Sequence, residues 1–389
     1  MKASQPAAGL QHTHHLPAQS ACCIELPGGP RTTMPAEIGF YDAPPVSDLV
    51  AKDRAKRAEE NMATFTADKA SWEGKSVVSV SQFSTEGLGL LYAVAGKMKE
   101  MVADKSDDAT LSRNPPLRGR VLGTLFYETS TRTACSFQAA VARLGGTFVS
   151  VDPASSSIKK GESLEDTVMS LLSYCDAVAL RHPAKGAARA AVGVARRPVL
   201  NAGDGVGEHP TQALLDLYTI AAELGGEAGL SGLRGKVVAL IGDLKHGRTV
   251  HSLAKLLARF GCVLRYVSPA SLQMPRYIQD EVESAGESVQ TEVEDIGVVL
   301  EEADVLYVTR VQKERFASRE EFDRVNGSYK ITPEVLSKVK PSSVLMHPLP
   351  RVGEIVEDCD LDPRAAYFKQ MENGMYVRMA LLALVFGKA

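Results

Sequence analysis

Short runs of β-branched and apolar residues alternate with longer segments of helical spacing over most of this chain. The runs cover residues 121–126, 147–151, 177–180, 199–201, 237–241, 263–267, 305–308 and 343–346. Between them, apolar residues recur every three or four positions, as at Val250, Leu253, Ala254 and Leu257. Strands separated by helix-length segments form βαβ units with parallel strands. The alternation therefore predicts an α/β protein built on parallel sheets.

A cluster of five glycines between residues 223 and 235 predicts a break between two α/β halves. The final helix, near residues 372–386, has a periodicity that fits either half. The division we adopt comprises a disordered tail (1–36), a lead-in segment (37–76), a first half (77–224) completed by residues 367–389, and a second half (225–366).

The patterned body begins near residue 77. Residues 76–81 have the sequence Ser-Val-Val-Ser-Val-Ser, which predicts a strand, and Ser84 is predicted to cap the helix that follows. The tail before the body is rich in Pro, Gly, Ala, Ser and Gln, a composition typical of disorder. His12, His14 and His15 could bind a metal, but a solvated tail is the simpler interpretation.

Composition excludes several classes of protein. The net charge of −3, from 44 basic and 47 acidic residues, argues against a dedicated nucleic-acid-binding protein. The longest apolar run has eight residues (379–386), whereas a membrane-spanning helix needs about 20. None of the six cysteines forms a C-x-x-C pair, so we expect reduced thiols and no zinc ribbon. We expect no metal and no cofactor.

Polar residues follow the first predicted strand, where it meets the next helix. Ser130, Thr131, Arg132 and Thr133 would occupy a helix N-terminus, where free N–H groups, hydroxyls and a guanidinium can bind an anion. Helix capping alone would also account for the serine and threonines. The arginine among them favours a phosphate site without the glycines and lysine of a Walker motif.

Three later strands also end in candidate site residues. Arg181 follows the third strand, and His209 comes after the fourth, where Pro210 predicts a helix start. Gln212 shares the helix face of His209. A histidine at a helix start tends to stay neutral, so its imidazole could donate a hydrogen bond to a carbonyl oxygen. Arg248 begins a helix after a strand end that lacks the G-x-G-x-x-G dinucleotide fingerprint.

The remaining cations and one rigid loop complete the candidate site. Arg310 follows another strand, and residues 347–351 (His-Pro-Leu-Pro-Arg) form a loop whose two prolines remove N–H donors. Lys160 lies in a polar loop that is either an ordinary solvated loop or a mobile lid. Because ligands bind beyond the carboxyl ends of parallel strands, these residues predict a substrate with several negative charges. Group transfer between two bound anions fits them better than hydrolysis or metal chemistry.

Six motifs in this order closely resemble those of the aspartate carbamoyltransferase family, most of all the members within the animal multifunctional pyrimidine-synthesis polypeptide. They are residues 126–133, 181–183, 201–216, 242–253, 309–315 and 347–351. The resemblance implies two doubly wound parallel-sheet domains, joined by interdomain helices, with the active site in the cleft. It also implies a homotrimer with shared sites, in which carbamoyl phosphate and L-aspartate give N-carbamoyl-L-aspartate and phosphate, the committed step of pyrimidine (UMP) synthesis.

The resemblance also assigns roles residue by residue. Thr133, Arg181 and His209 would be catalytic. Carbamoyl phosphate would be bound by Ser130, Thr131, Arg132, Thr133, Ser156, Lys160, Arg181, His209, Gln212, Leu349 and Pro350. Aspartate would be bound by Lys160, Arg248, Arg310 and Gln312. Ser156 and Lys160 would come from the neighbouring subunit, and the loop that holds them varies within the family.

Alternative functions and location stay open at this point. Ornithine carbamoyltransferases have His-Cys-Leu-Pro where this chain has His-Pro-Leu-Pro at 347–350, and two site arginines would repel a cationic substrate. A non-catalytic scaffold is the other alternative. We expect no nucleic-acid or membrane partner and a cytoplasmic location. A plastid location is the alternative, because the tail has a single acidic residue, Glu25.

Overall fold

The structure, a computed structural model, describes residues 47–106, 110–310 and 329–389. The predicted tail, with its three histidines, lies outside the described residues. The helices are α1 (Asp48–Asn61), α2 (Thr85–Ala103), α3 (Thr110–Arg113), α4 (Thr131–Arg143), α5 (Leu164–Leu172), α6 (Ala187–Val194), α7 (Pro210–Leu224), α8 (Arg248–Ala258), α9 (Arg276–Ala285), α10 (Pro333–Leu336) and α11 (Tyr367–Val385). The strands are β1 (Val121–Phe126), β2 (Thr147–Val151), β3 (Ala177–His182), β4 (Val199–Asp204), β5 (Val237–Ile241), β6 (Val263–Val267), β7 (Val289–Val293), β8 (Val305–Val308) and β9 (Val344–Met346).

The strands form two sheets in which neighbouring strands are parallel. The first sheet has the order β2-β1-β3-β4, and the second has the order β7-β6-β5-β8-β9. In each sheet an early strand lies in the middle and the chain winds outward in both directions, so the strand order reverses there. Such a reversal point leaves a crevice at the carboxyl ends of the strands. The predicted α/β fold with two parallel sheets is confirmed.

Two predictions about individual strands are wrong or incomplete. Residues 76–81 do not form a strand of either sheet: Ser79 caps a 3-10 turn (Val80–Gln82), and the Gln82 side-chain oxygen accepts a hydrogen bond from the Ser79 backbone N–H. The serine- and valine-rich segment therefore forms a capped turn with buried valines, joined to the first sheet by a bridge from Val77 to Leu200. Strand β7 has no counterpart in the prediction because it is an exposed edge strand with polar residues between its valines.

The C-terminal helix packs against the first half of the chain. Helix α11 contacts α2, α4 and α7, and most of its residues are buried. Leu381, Leu382 and Leu384 have at most 1% of their surface exposed, and each such side chain stabilises the fold by about 1.5–3 kcal/mol on transfer from water. One continuous apolar cluster contains residues of these four helices. Among the described residues, no helix is long and apolar enough to cross a bilayer.

Candidate active site

A cavity of about 860 Å³ opens at the carboxyl ends of both sheets. Six strand ends contribute to its lining, namely those of β1, β3, β4, β5, β8 and β9. The lining consists of residues 128–133, Arg181, Pro183, Gly205, Val206, His209, Gln212, Asp243, 246–249, Thr309, Arg310 and 347–350. Both halves of the chain therefore build one site, at the place where parallel sheets bind ligands.

The N-terminus of α4 forms one wall of the cavity. Ser130 stands at the N-cap, but its side chain makes no capping hydrogen bond, so capping alone does not explain the hydroxyl. Thr131 and Arg132 are exposed, but neighbouring protein atoms displace some of the water around the Arg132 guanidinium and lower its pKa. The unpaired N–H groups of a helix start and its partial positive charge attract anions. This wall is suited to a phosphate group.

Thr133 and His209 lie side by side at the base of this wall. Their side chains are buried, and Thr133 Oγ1 is 3.4 Å from His209 Nε2. Burial, together with the charges of Arg181 and Arg248, lowers the pKa of His209 well below its usual range. The imidazole is therefore neutral at physiological pH. A neutral imidazole, a hydroxyl and a nearby guanidinium are suited to stabilising a developing oxyanion.

Glu128 joins two arginines that come from different sheets. Its Oε2 accepts hydrogen bonds of 3.1 Å from Arg181 Nε, on β3, and from Arg248 Nη2, at the start of α8. Arg248 Nη1 also donates to the carbonyl oxygen of Gly205 at 2.6 Å. Burial, and then the charge of Arg248, lowers the pKa of Arg181 to about 10. The Arg181 guanidinium therefore remains charged at neutral pH, and the Glu128 carboxyl group contacts both arginines.

Gly203 makes room for this pair of arginines. A Cβ atom there would lie 3.3 Å from Arg248 Cζ and 3.5 Å from Arg181 Nη1, and its φ of +119° is one that side-chain-bearing residues rarely adopt. Glycine at this position therefore lets the guanidiniums lie against the backbone at the end of β4.

The loop after β9 forms the opposite wall. His347 Nε2 lies 2.7 Å from Glu354 Oε1, and Leu349 N donates to His347 Nδ1 at 2.7 Å. Burial alone would raise the pKa of Glu354, but hydrogen bonds from His347 and from the backbone outweigh it and lower the pKa, so the carboxylate is ionised. Leu349 has a φ of +57°, in the left-handed region that favours glycine. The buried His347–Glu354 pair thus supports a strained loop. Its two prolines have no N–H groups and the N–H of Leu349 is bonded to His347, so the loop presents carbonyl groups to a ligand.

Comparison with known proteins identifies the family. Two family models match the chain: the carbamoyl-P binding domain of aspartate/ornithine carbamoyltransferases over residues 75–222, and their Asp/Orn binding domain over residues 234–385. The chain belongs to the aspartate/ornithine carbamoyltransferase family.

Relatives and solved structures agree with this assignment. The chain is 42% identical to the aspartate transcarbamoylase of Trypanosoma cruzi, solved in complex with carbamoyl phosphate (TM-score 0.75, 81% of this chain, 97% of that one). The same enzyme with N-(phosphonacetyl)-L-aspartic acid gives a TM-score of 0.74 at equal identity and coverage. The aspartate carbamoyltransferase catalytic subunit of Thermococcus onnurineus is 46% identical over 81% of this chain and 98% of its own.

One relative is a far longer polypeptide. The multifunctional protein pyr1-3 of Dictyostelium discoideum is 51% identical over 88% of this chain. The chain spans 15% of the length of that protein. The predicted membership of the carbamoyltransferase family is confirmed by these matches.

Most of the predicted site residues line this cavity. They are Ser130, Thr131, Arg132, Thr133, Arg181, His209, Gln212, Arg248, Arg310, Leu349 and Pro350. Ser156 and Lys160 do not line it; they lie at the two ends of a 3-10 segment, where Lys160 is exposed. Their arrival from a neighbouring subunit stays a prediction. Gln312 lies outside the described residues.

Sequence reasoning missed several lining residues, chiefly Glu128, Asp243, His246, Thr249 and His347. Glu128 gave a usable signal, because an acidic residue directly before an arginine-bearing anion site is a natural counter-ion. His246 Nδ1 lies 3.2 Å from Asp243 Oδ1, a pairing of residues three apart that the sequence also contained. His347 belongs to the motif at residues 347–351, but its structural role depends on Glu354, seven residues further along the chain.

A buried carboxyl group lies beneath the cavity. Asp216, on α7, has no exposed surface, and burial raises its pKa to about 7 although Tyr307, Gln370 and Gln212 donate hydrogen bonds that lower it. The folded chain therefore holds a proton on Asp216 between about pH 4 and 7 that the unfolded chain releases. Consequently this residue makes the fold less stable as pH rises through that window.

We expect the thermal stability of the Asp216→Asn variant, compared with that of the native protein, to increase as the pH is raised from 5 to 8. Asparagine does not titrate, so the pH dependence of the difference between the two unfolding temperatures reports the titration of the Asp216 carboxyl group. Thermal unfolding of both proteins across this pH range measures it. A difference that stays constant with pH would show that the pKa of Asp216 is not raised.

Proposed function

We propose that the chain is an aspartate carbamoyltransferase, which transfers the carbamoyl group of carbamoyl phosphate to the amine of L-aspartate. The products are N-carbamoyl-L-aspartate and phosphate, and the step commits material to pyrimidine synthesis. One observation carries the proposal: a phosphate-type helix start and two arginines of the second half, Arg248 and Arg310, line the same cavity. The T. cruzi enzyme, solved with carbamoyl phosphate and aspartate together, supports it.

Carbamoyl phosphate would occupy the wall formed by the start of α4. Ser130, Thr131, Arg132 and Thr133 bind the phosphate through hydroxyls, N–H groups and the guanidinium. The carbonyl oxygen then faces Thr133, Arg181 and His209, which act as fixed donors to the oxyanion of the tetrahedral intermediate. Gln212 and the carbonyl groups of the 347–350 loop hold the amide nitrogen.

Aspartate would bind with its carboxylates on Arg248 and Arg310. Its neutral amine attacks the carbamoyl carbon, the bond from that carbon to the phosphate oxygen breaks, and the departing phosphate takes the amine proton. No separate general base is needed, since the phosphate dianion accepts the proton. Holding two anions in contact supplies a large part of the rate gain.

The decisive test of the reaction compares two amino acids. Purified protein receives carbamoyl phosphate with either aspartate or ornithine, and the carbamoylated product is measured. We expect product with aspartate only, because Arg248 and Arg310 would repel the side-chain ammonium of ornithine. Product with ornithine would overturn the assignment of the second substrate, and no product from folded protein would favour a scaffold role.

We propose in addition that the chain acts as a homotrimer with shared active sites. Strand β2 is an edge strand of the first sheet, and Phe148 and Val149 on it are 40% and 42% exposed. Exposed apolar residues on an unpaired edge favour association with another chain. Lys160, which follows β2 and is exposed, would then reach the cavity of the neighbouring subunit.

Mixing two inactive variants tests the shared site. Lys160→Ala and His209→Ala should each be nearly inactive alone, since each removes one side of every site. After the subunits are reassorted, random trimers should regain about a quarter of the native activity, because that fraction of sites combines two intact sides. Mixtures that stay inactive after verified reassortment would show that Lys160 serves its own subunit or none.

A Glu128→Gln variant should bind aspartate poorly and turn over slowly. Without the carboxylate, the charges of Arg181 and Arg248 repel each other across the cleft, and the two halves lose one of the contacts between them. We expect kcat/KM for aspartate to fall about tenfold to hundredfold, as for the loss of one charge-assisted hydrogen-bonded bridge. Steady-state kinetics with aspartate varied at saturating carbamoyl phosphate measure the effect.

Glu165→Gln is the matched control, because Glu165 pairs with Arg54 at 3.4 Å and lies outside the cavity. This control should keep native kinetics. Equal losses in the two variants would mean that the effect of Glu128 is one of general stability.

A further inference from the structure

Asp216 lies one helical turn beyond Gln212 on α7 and receives hydrogen bonds from three elements. Its Oδ1 accepts from Gln212 Nε2 at 2.9 Å and from Gln370 Nε2, on α11, at 2.6 Å. Its Oδ2 contacts the hydroxyl of Tyr307, on β8, at 2.7 Å. All four side chains are buried.

The bond from Gln212 to Asp216 fixes which way the Gln212 amide faces. A primary amide carries a donor nitrogen and an acceptor oxygen on opposite sides of one carbon. With Nε2 on Asp216 Oδ1, the acceptor Oε1 of Gln212 is left for the cavity that this residue lines. The reverse orientation would place two acceptor oxygens together, which is unfavourable in a buried site.

The partners of this carboxyl group also contact the 347–350 loop and the start of α8. Gln370 Oε1 accepts from His347 N at 3.0 Å, at the start of the 347–350 loop. The Tyr307 hydroxyl also interacts with Thr249, the neighbour of Arg248 at the start of α8. Asp216 thus lies where α7, α11 and β8 meet under the site.

We propose that Asp216 is a positioning residue which holds the Gln212 oxygen toward the cavity and thereby selects acyl phosphates that carry an N–H donor on the acyl carbon. This inference rests on the proposed function, in which Gln212 receives the carbamoyl amide. Asp216 itself touches neither substrate. It acts by preventing rotation of an amide that would otherwise present its own N–H groups to the substrate.

Acetyl phosphate is the probe that isolates this role, since a methyl group replaces the amide nitrogen and the rest of the molecule is unchanged. The preference is measured as a ratio of two constants. The first is the inhibition constant of acetyl phosphate in competition with carbamoyl phosphate, and the second is the KM for carbamoyl phosphate. In Asp216→Ala the KM should rise about tenfold to hundredfold, the usual effect of losing a hydrogen bond to a buried group. The inhibition constant of acetyl phosphate should change less than about threefold, because that molecule makes no such bond.

Three further variants make the test conclusive. Asp216→Asn should retain the native preference, because its carbonyl oxygen still accepts a hydrogen bond from Gln212. Asn373→Ala is the matched control, since Asn373 is buried on α11 and donates to Thr219 at 3.1 Å, away from Gln212. It should leave the preference unchanged. If Asp216→Ala does not fold, Asp216→Leu, which refills the space, takes its place.

The outcomes separate the positioning role from simpler explanations. Parallel weakening of both acyl phosphates in Asp216→Ala, or a similar loss of preference in Asn373→Ala, would overturn the proposal in favour of a purely structural role. Loss of the preference in Asp216→Asn would also overturn the proposal. Failure of the native protein to carbamoylate aspartate would instead refute the proposed function, a result seen before any variant is made.

Discussion

Replacing Arg132 with alanine should lower kcat/KM for carbamoyl phosphate by about a thousandfold, the effect expected when a charged donor is removed from a transition-state anion. Arg132 is the guanidinium at the exposed start of α4, where the hydroxyl of Ser130 is not used for capping. The binding of aspartate depends on other arginines and should change far less. Steady-state kinetics with each substrate varied in turn measure the difference.

Arg143→Ala provides a control on the same helix. Arg143 is an exposed residue at the opposite end of α4 from the cavity, so it shares the element without the site. Its variant should behave as the native protein does. Equal losses for carbamoyl phosphate and aspartate in Arg132→Ala would contradict the division of roles between the two halves.

Arg248→Ala should raise the KM for aspartate by about two to three orders of magnitude, since it removes a carboxylate ligand and one arm of the Glu128 bridge. The dissociation constant of carbamoyl phosphate, measured by calorimetry without aspartate, should stay within about fivefold of native, because the phosphate wall is intact. Lys245→Ala, at an exposed position in the same β5–α8 loop, is the control and should leave both constants unchanged.

The opposite pattern would be informative. A large loss of carbamoyl phosphate affinity in Arg248→Ala, with little change for aspartate, would mean that Arg248 acts through Arg181. Their shared carboxylate, Glu128, makes that the specific alternative to test.

Residues at strand ends were predictable because geometry, and not detailed packing, determines where they meet. Arg181, His209, Arg248 and Arg310 are far apart in the sequence, yet each follows a parallel strand, and the structure brings all four to one cavity. The pattern could not show which charges would pair. Glu128 was missed because an acid near a helix start is also an ordinary, favourable residue there.

Burial explains the other misses. Helix α7 is buried on nearly all sides, so its sequence pattern gives no sign that Asp216 faces Gln212, Gln370 and Tyr307. Those partners lie 4, 154 and 91 residues away. Strand β7 failed for the opposite reason, because an exposed edge has no apolar face to produce a signal. The predicted arrival of Ser156 and Lys160 from a neighbouring chain depends on an assembly, which one sequence does not place.

The position of α11 has a consequence for synthesis on the ribosome. The first sheet and its helices are translated before residue 225, but the helix that covers α2, α4 and α7 is made after the second sheet. Until residues 367–385 emerge, the apolar faces of those three helices stay uncovered while the whole second sheet is being made. The nascent chain is therefore a natural client for chaperones that shield apolar surface. Helix α4, whose N-terminus forms one wall of the cavity, therefore gains its contacts with α11 only after the second sheet has been made.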